Sequence, residues 1–177
     1  MKLTSARHSL LGMALCLSML HAAGAQAQHW RAATRSELTS VLPSRASVEG
    51  EHIETEMRTA SGIVNAEGQY IAGTVLITAG YSADGKYSHY LMVQAPIEIG
   101  GVLLIPGNYA LGWSRMDAQD ALNVHLNDAT TGKLMGVAVA HRIPGPGGVE
   151  SLRIWAPEEK ALIQIGRFGI SYKLPPK

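Results

Sequence analysis

From Glu51 onward the chain never goes far without a turn signal, and between these signals the apolar residues recur mostly at every second position. The signals are Asn65-Ala66-Glu67-Gly68, Asp84-Gly85, Gly100-Gly101, Pro106-Gly107, the Asp128–Gly132 segment and the Pro144–Gly148 loop. Short alternating runs bounded by such residues read as strands. Parallel strands need long crossovers, usually helical, and none fits between these runs, so the sheet is expected to be antiparallel. The expected fold is therefore all-β: an antiparallel β-sandwich of about nine or ten short strands with one short N-terminal helix. Prolines and paired glycines that interrupt the runs favour the sandwich, as corners where strands change sheets; a small up-and-down β-barrel is the alternative.

Two segments carry more detail. Glu51 to Arg58 sets Ile53, Thr55 and Met57 against His52, Glu54, Glu56 and Arg58, a strand with one wet face. Gln69 to Ala83 reads as the longest strand, and Asp84-Gly85 joins it to Lys86–Gln94 as a two-residue hairpin. That turn would place Ala83 opposite Lys86, Ile77 opposite Met92 and Gly80 opposite His89. Ahead of the strands, Trp30 to Leu42 has Leu38, Val41 and Leu42 at helical spacing, with Thr34 and Glu37 as a capping box and Pro43 as the stop. A loop is expected from there through Gly50.

The N-terminus has the form of a cleavable secretory signal over residues 1–27. Lys2, Arg7 and His8 precede the uncharged run Leu10–Leu20, and Ala23-Gly24-Ala25 and Ala25-Gln26-Ala27 offer small-residue cleavage sites. As a helix that run spans about 16 Å, short of a bilayer core of about 30 Å, so no stable membrane span is expected. Cleavage near Ala27 makes the protein secreted or periplasmic and leaves 177 less 27, or 150, residues: a helix-and-loop segment at 28–50 and one domain at 51–177. The sole cysteine, Cys16, follows Leu15 inside the leader, so neither a lipid anchor nor thiol chemistry is expected of the mature chain. Without Lys2 and Arg7 it carries thirteen basic and fourteen acidic residues, with no block of one sign. Nucleic acid, which selects for a basic stripe, is not an expected partner.

The segment Ile97 to Asn127, above all Gly101-Val102-Leu103-Leu104-Ile105-Pro106-Gly107-Asn108-Tyr109-Ala110-Leu111, resembles the strand–turn–strand of exported bacterial β-sandwich proteins that form an uncharacterised domain-of-unknown-function family. The likeness covers about a fifth of the chain. It implies a β-sandwich outside the cytosol, with a turn leading into a core tyrosine, and it transfers no catalytic residue.

Candidate functional residues fall into two groups. Tyr81, Lys86, Tyr87, His89 and Tyr90 gather at the Asp84-Gly85 hairpin end, where aromatic faces beside polar donors would suit a sugar or small ligand. Trp113 with Arg115, and Arg153 with Trp155, stand two residues apart and so project to one strand face each; arginine against indole could line a groove for an anionic or sugar ligand, or pack as a rim. Catalytic signals are weak. Ser88 adjoins His89, but neighbours on a strand face opposite ways. There is no Gly-x-Ser-x-Gly elbow. The histidines His29, His52, His89, His125 and His141 lack metal-ligand spacing, and no cofactor is expected. Glu54 and Glu56, like Asp117, Asp120 and Asp128, read as solvated acids. The expected function is a non-catalytic binding or interaction module of the cell envelope, taking a saccharide, a small molecule or another exported protein. It predicts exposed tyrosines at 81, 87 and 90. The alternative is a metal- and thiol-independent hydrolase or isomerase, in which His89, His125 or His141 meets a carboxylate.

Overall fold

The turn signals divide the chain into thirteen strands and one helix in the computed structural model, which describes residues 29–116 and 120–175. The expected leader at 1–27 lies outside the described residues, as does most of the polar connection Met116–Asp120. In chain order the elements are β1 (Trp30–Ala32), α1 (Arg35–Val41), β2 (Arg45–Val48), β3 (Glu51–Asn65), β4 (Tyr70–Leu76), β5 (His89–Val93), β6 (Ile97–Ile99), β7 (Val102–Leu104), β8 (Gly107–Met116), β9 (Ala121–Asp128), β10 (Leu134–Arg142), β11 (Glu150–Ile154), β12 (Leu162–Gly166) and β13 (Phe168–Lys173). The all-β antiparallel class with a short N-terminal helix is what the protein has.

One continuous sheet runs in the order β1-β3-β4-β5-β8-β9-β10-β13-β12-β11; β2 adds to β3, and the β6–β7 hairpin joins through β13. The sheet curls until its last strand, β11, packs back along β3, and there the Ile154 N–H donates to Ser61 Oγ at 2.9 Å. The result is nearly a barrel. The layers that enclose the core belong to the same sheet.

Each face of the sheet has its own core. Inside, Ile63, Ile71, Leu91, Leu126, Ile163 and Ile170 are almost fully buried, because period-two strands send one row of side chains inward. The β6–β7 hairpin fills part of this space against β10, whose inward residues are small: a Cβ on Gly136 would come within 2.7 Å of Val102 Cγ2. The Pro106-Gly107 turn leads into Tyr109, which is buried and donates its hydroxyl to the Ile105 carbonyl at 2.7 Å. Outside, α1, β2 and residues 77–88 cover Ala72, Tyr90, Met92 and Ala110. Here α1 contributes Leu38 and the chain after it Leu42. Its capping box forms as expected: Thr34 Oγ accepts the Glu37 N–H, and the Glu37 carboxylate accepts the Thr34 N–H at 2.7 Å.

Three local expectations need correction. Trp30–Ala32 is the edge strand β1, antiparallel to β3, and only residues 35–41 are helical. Residues 45–48, expected as loop within the 28–50 segment, form β2, joined to β3 through Glu49 and Gly50 with φ of 47° and 85°. Positive φ at both turn residues matches the right-handed twist of a tight hairpin. The third concerns register. Ile71 faces Val93, and Thr74 faces Tyr90, so the Asp84-Gly85 turn does not align these strands and Ile77 is an exposed residue past the end of β4. Gly85 does adopt positive φ, at 74°, but inside a twelve-residue connection. Burial decides it: folding residues 77–88 over the sheet buries Ala83 and Tyr87 in the outer cluster, which an extended hairpin would leave wet.

Candidate functional site

The hairpin-end residues are brought together, but as a lid fastened to its own protein. Residues 77–88 turn back on themselves, with Tyr81 N–H to the Thr78 carbonyl and Tyr87 N–H to the Ala83 carbonyl, each 3.0 Å. They cross β8 at Gly112, where any Cβ would collide with the Lys86 carbonyl oxygen. Three side chains from the β2–β3 hairpin hold the lid down. Arg45 donates to Tyr81 Oη at 3.0 Å, Ser82 Oγ–H donates to Glu51 at 2.6 Å, and Glu49 accepts Lys86 Nζ on both oxygens at 2.7 Å and Tyr87 Oη at 3.1 Å. Lys86 Nζ also sits 4.8 Å from the Tyr87 ring centre. Hydrogen bonding to Lys86 keeps the Glu49 carboxyl below its ordinary range, and Glu49 in turn raises Lys86.

The exposed tyrosine patch is not formed. Tyr87 and Tyr90 are 3% and 5% exposed, and Tyr81 is half-buried. Burial raises both buried phenols, Tyr90 to about 12. His89 is buried as well, inside the barrel, and both ring nitrogens have partners: Nδ1 lies 2.8 Å from Ser88 Oγ and Nε2 lies 3.0 Å from the Ser151 carbonyl on β11. The Ser88–His89 contact corrects the expectation that these neighbours cannot meet. Ser88 precedes β5, so strand alternation does not govern its side chain. Since a carbonyl can only accept, Nε2 carries the proton and Nδ1 accepts from Ser88. Burial lowers the His89 pKa, keeping the ring neutral. It faces a backbone oxygen where a catalytic histidine would face a carboxylate.

His125 is half-buried on β9 and His141 exposed on β10, and neither reaches a carboxylate among the described residues. The acids considered with them are tied locally: Glu56 is bound twice by Arg58 and held at about 2, and Glu54 lies 3.4 Å from Arg45. Among the described residues no three His, Cys, Asp or Glu side chains converge as a metal-ligating group.

The second group separates. Trp113 and Arg115 are exposed on β8, and Trp113, 48% exposed, has no stacked cation among the described residues. Arg153 and Trp155, on and just after β11, do meet, and a third residue joins them. The Arg153 guanidinium and Lys160 Nζ each lie 4.2 Å from the Trp155 ring centre. Sequence reasoning missed Lys160; the turn at 157–160, with Lys160 N–H bonded to the Ala156 carbonyl, folds it back onto the indole. Gln164, also missed, fixes the ring. This buried amide on β12 accepts the Trp155 indole N–H at 3.2 Å and donates to the carbonyls of Gly148 at 3.0 Å and Gly166 at 2.9 Å. It thereby pins both the indole and the end of the Pro144–Gly148 loop.

Trp155 stands between two clefts. One, of about 140 Å³, lies under the Pro/Gly loop and is bordered by Lys160, Arg167 and Glu150. The other, of about 200 Å³, lies between β11 and the start of α1 and is bordered by Arg153, Arg35 and Glu159. A third, of about 230 Å³, continues along the β3–β11 seam past Arg58, Ser61 and Ser151. Arg35, Arg153, Lys160 and Arg167 form no ion pair among the described residues, while Arg58 is paired with Glu56. Comparison with protein-family models, curated protein sequences and solved structures finds no match, so the site's own chemistry is the ground for a functional reading.

Proposed function

We propose that the chain acts after export as a non-catalytic binding module of the cell envelope, with its ligand site on the ridge formed by Arg153, Trp155 and Lys160. The observation that carries this reading is an indole flanked by two cations without carboxylate partners, standing between open clefts and held in place by a buried amide. Each cation gains about 0.5–1 kcal/mol from the ring at an exposed site, which positions it without pairing its charge. A ligand that supplied anionic acceptors would pair it. The hairpin-end residues Tyr81, Lys86, Tyr87, His89 and Tyr90 support the module from within, as lid and core. The leader and the strand–turn–strand likeness support a place outside the cytosol.

The test is a thermal-shift screen of the purified protein against saccharides and small metabolites, repeated on Trp155→Ala and Arg153→Gln. At least one compound should raise the melting temperature of the wild type and leave both variants unchanged. Shifts of equal size in all three proteins would remove the ridge from consideration. N-terminal sequencing of the exported protein should begin at Gln28; a retained Met1 would contradict the export half of the proposal.

A further inference from the structure

We infer that the ligand of this ridge is an oligosaccharide carrying carboxylates, lying along β11 across all three clefts; the inference rests on the binding-module reading above. Size is the first ground. Each cleft, at about 140, 200 and 230 Å³, is smaller than the roughly 300–1,000 Å³ that encloses a compact drug-sized ligand. They adjoin one another, however. Trp155 borders the first two, Arg153 the second and third, and Glu150 the first and third. An extended chain with one unit per cleft matches this arrangement where a compact ligand does not.

Charge is the second ground. The four cations without ion pairs face two carboxylates, Glu150 and Glu159, so the ridge has an excess of positive charge in a mature chain whose overall balance is slightly acidic. Arg35 and Arg153 present planar donor forks suited to two-point contact with a carboxylate. Because Arg153 borders the cleft on one side of the indole and Lys160 the cleft on the other, acidic groups on successive units would meet a cation on each side of the ring.

Surface chemistry favours a sugar over a peptide. Extended peptides bind through an apolar anchor pocket or an unpaired strand edge. The wall of the seam cleft is mostly polar, and on the outer edge of β11 the Ile154 N–H, which a peptide strand would need, is already taken by Ser61 Oγ. Open clefts with a polar wall along the seam suit a hydroxylated chain whose hydrogen bonds are shared with water.

The experiment is calorimetric titration of the purified protein with oligogalacturonates of two to six units, with the same oligomers reduced at the carboxyl to neutral sugars, and with oligoglutamate and inorganic polyphosphate. The acidic sugar should bind, tighten with length up to about the number of clefts, and weaken as salt rises. Arg153→Gln and Lys160→Gln, checked for unchanged melting temperature, should each weaken it about tenfold, the loss expected for one charge-assisted contact. Neutral oligomers binding as tightly as acidic ones would overturn the carboxylate assignment while leaving a binding module standing. Equal binding of oligoglutamate or polyphosphate would overturn the sugar. If none of the four bound, the inference would fail alone, because the broader screen above tests the module itself.

Discussion

Replacing Tyr87 by alanine removes from the outer cluster a ring that is only 3% exposed. Burying an aromatic side chain hides roughly 150–250 Å², which at about 25 cal/mol per Å² is roughly 4–6 kcal/mol. Alanine keeps the Cβ and the lid can settle partway, so the expected loss is about 3–5 kcal/mol, the range for aromatic truncation in cores. Tyr87→Phe separates the ring from its hydroxyl. It deletes the 3.1 Å bond to Glu49, whose carboxylate keeps both contacts to Lys86 and remains partly open to water, so about 1 kcal/mol is expected. For a chain of this size each kcal/mol moves the melting temperature by about 2–4 °C. Alanine should therefore lower it by about 6–20 °C and phenylalanine by about 2–4 °C. Urea melts followed by circular dichroism and tryptophan fluorescence measure both. If Tyr87 were a ligand-contacting surface residue, neither change would exceed about 0.5 kcal/mol. That result would refute the lid. So would a wild-type midpoint combined with fast tryptic cleavage after Lys86, since it would mean that the lid opens without weakening the rest.

Three more outcomes follow from buried polar groups. His89 is neutral in the fold because burial lowers its pKa, whereas the unfolded chain takes up the proton near the ordinary value of about 6.5. Stability from this residue is therefore complete above that value and is lost progressively as pH falls below it; the melting temperature of His89→Gln should fall less between pH 7 and pH 5, and equal slopes would contradict the assignment. Gln164→Leu leaves the Trp155 indole N–H and the Gly148 and Gly166 carbonyls without their partner, so a loss of about 1–3 kcal/mol is expected in chemical denaturation, with a red shift of Trp155 fluorescence. Trp30 is buried and its Nε1 has no partner among the described residues, so Trp30→Phe sheds an unsatisfied donor and should cost less than about 2 kcal/mol, against about 3–5 for Trp30→Ala, by the same denaturation assay.

The class of fold was legible because it depends on local rules. Alternation over Glu51–Arg58 set Ile53, Thr55 and Met57 on the covered face of β3, and the Thr34–Glu37 box needed only a spacing of three. Register between β4 and β5 was not legible, because Asp84-Gly85 is a good turn wherever it occurs. What set the register was the gain from folding twelve residues over Tyr90 and Met92, a contact between segments that no turn rule sees. The same held for the sites. Tyrosines 81, 87 and 90 cluster in sequence and so looked like a surface, yet their neighbours in space are Arg45, Glu49 and the outer core. Arg153 and Trp155 were readable from their spacing of two. Lys160 and Gln164 came into view only when the turn at 157–160 and the β11–β12 pairing placed them on the same indole.

Why the clefts open along β11 follows from how the sheet fails to close. A sheet that closes completely has no free edge, and its last strand would pair with its first along its length. On β3, Glu56 faces Val75 and Ser61 faces Gly73 of β4, so five steps on one strand match two on the other and three extra residues bulge out. The bulge is stabilised: Thr59 Oγ accepts the Val75 N–H at 3.0 Å and lies 3.2 Å from Thr74 Oγ, while Thr74 donates to the Glu56 carbonyl at 2.8 Å. Bulges of this kind bend a strand and end its pairing, and they are frequent beside functional sites. Here the bulge puts β3 out of step with β11, and the seam has a side-chain bond, from Ile154 N–H to Ser61 Oγ, where a ladder of backbone bonds would otherwise run. Arg58, Thr59 and Ala60 become a cleft wall instead of a pairing edge, opposite Ser151 and Arg153. The register irregularity that keeps the barrel open thus also sets the cationic face of β11 beside an accessible groove, and the fold and the proposed ligand path share one cause.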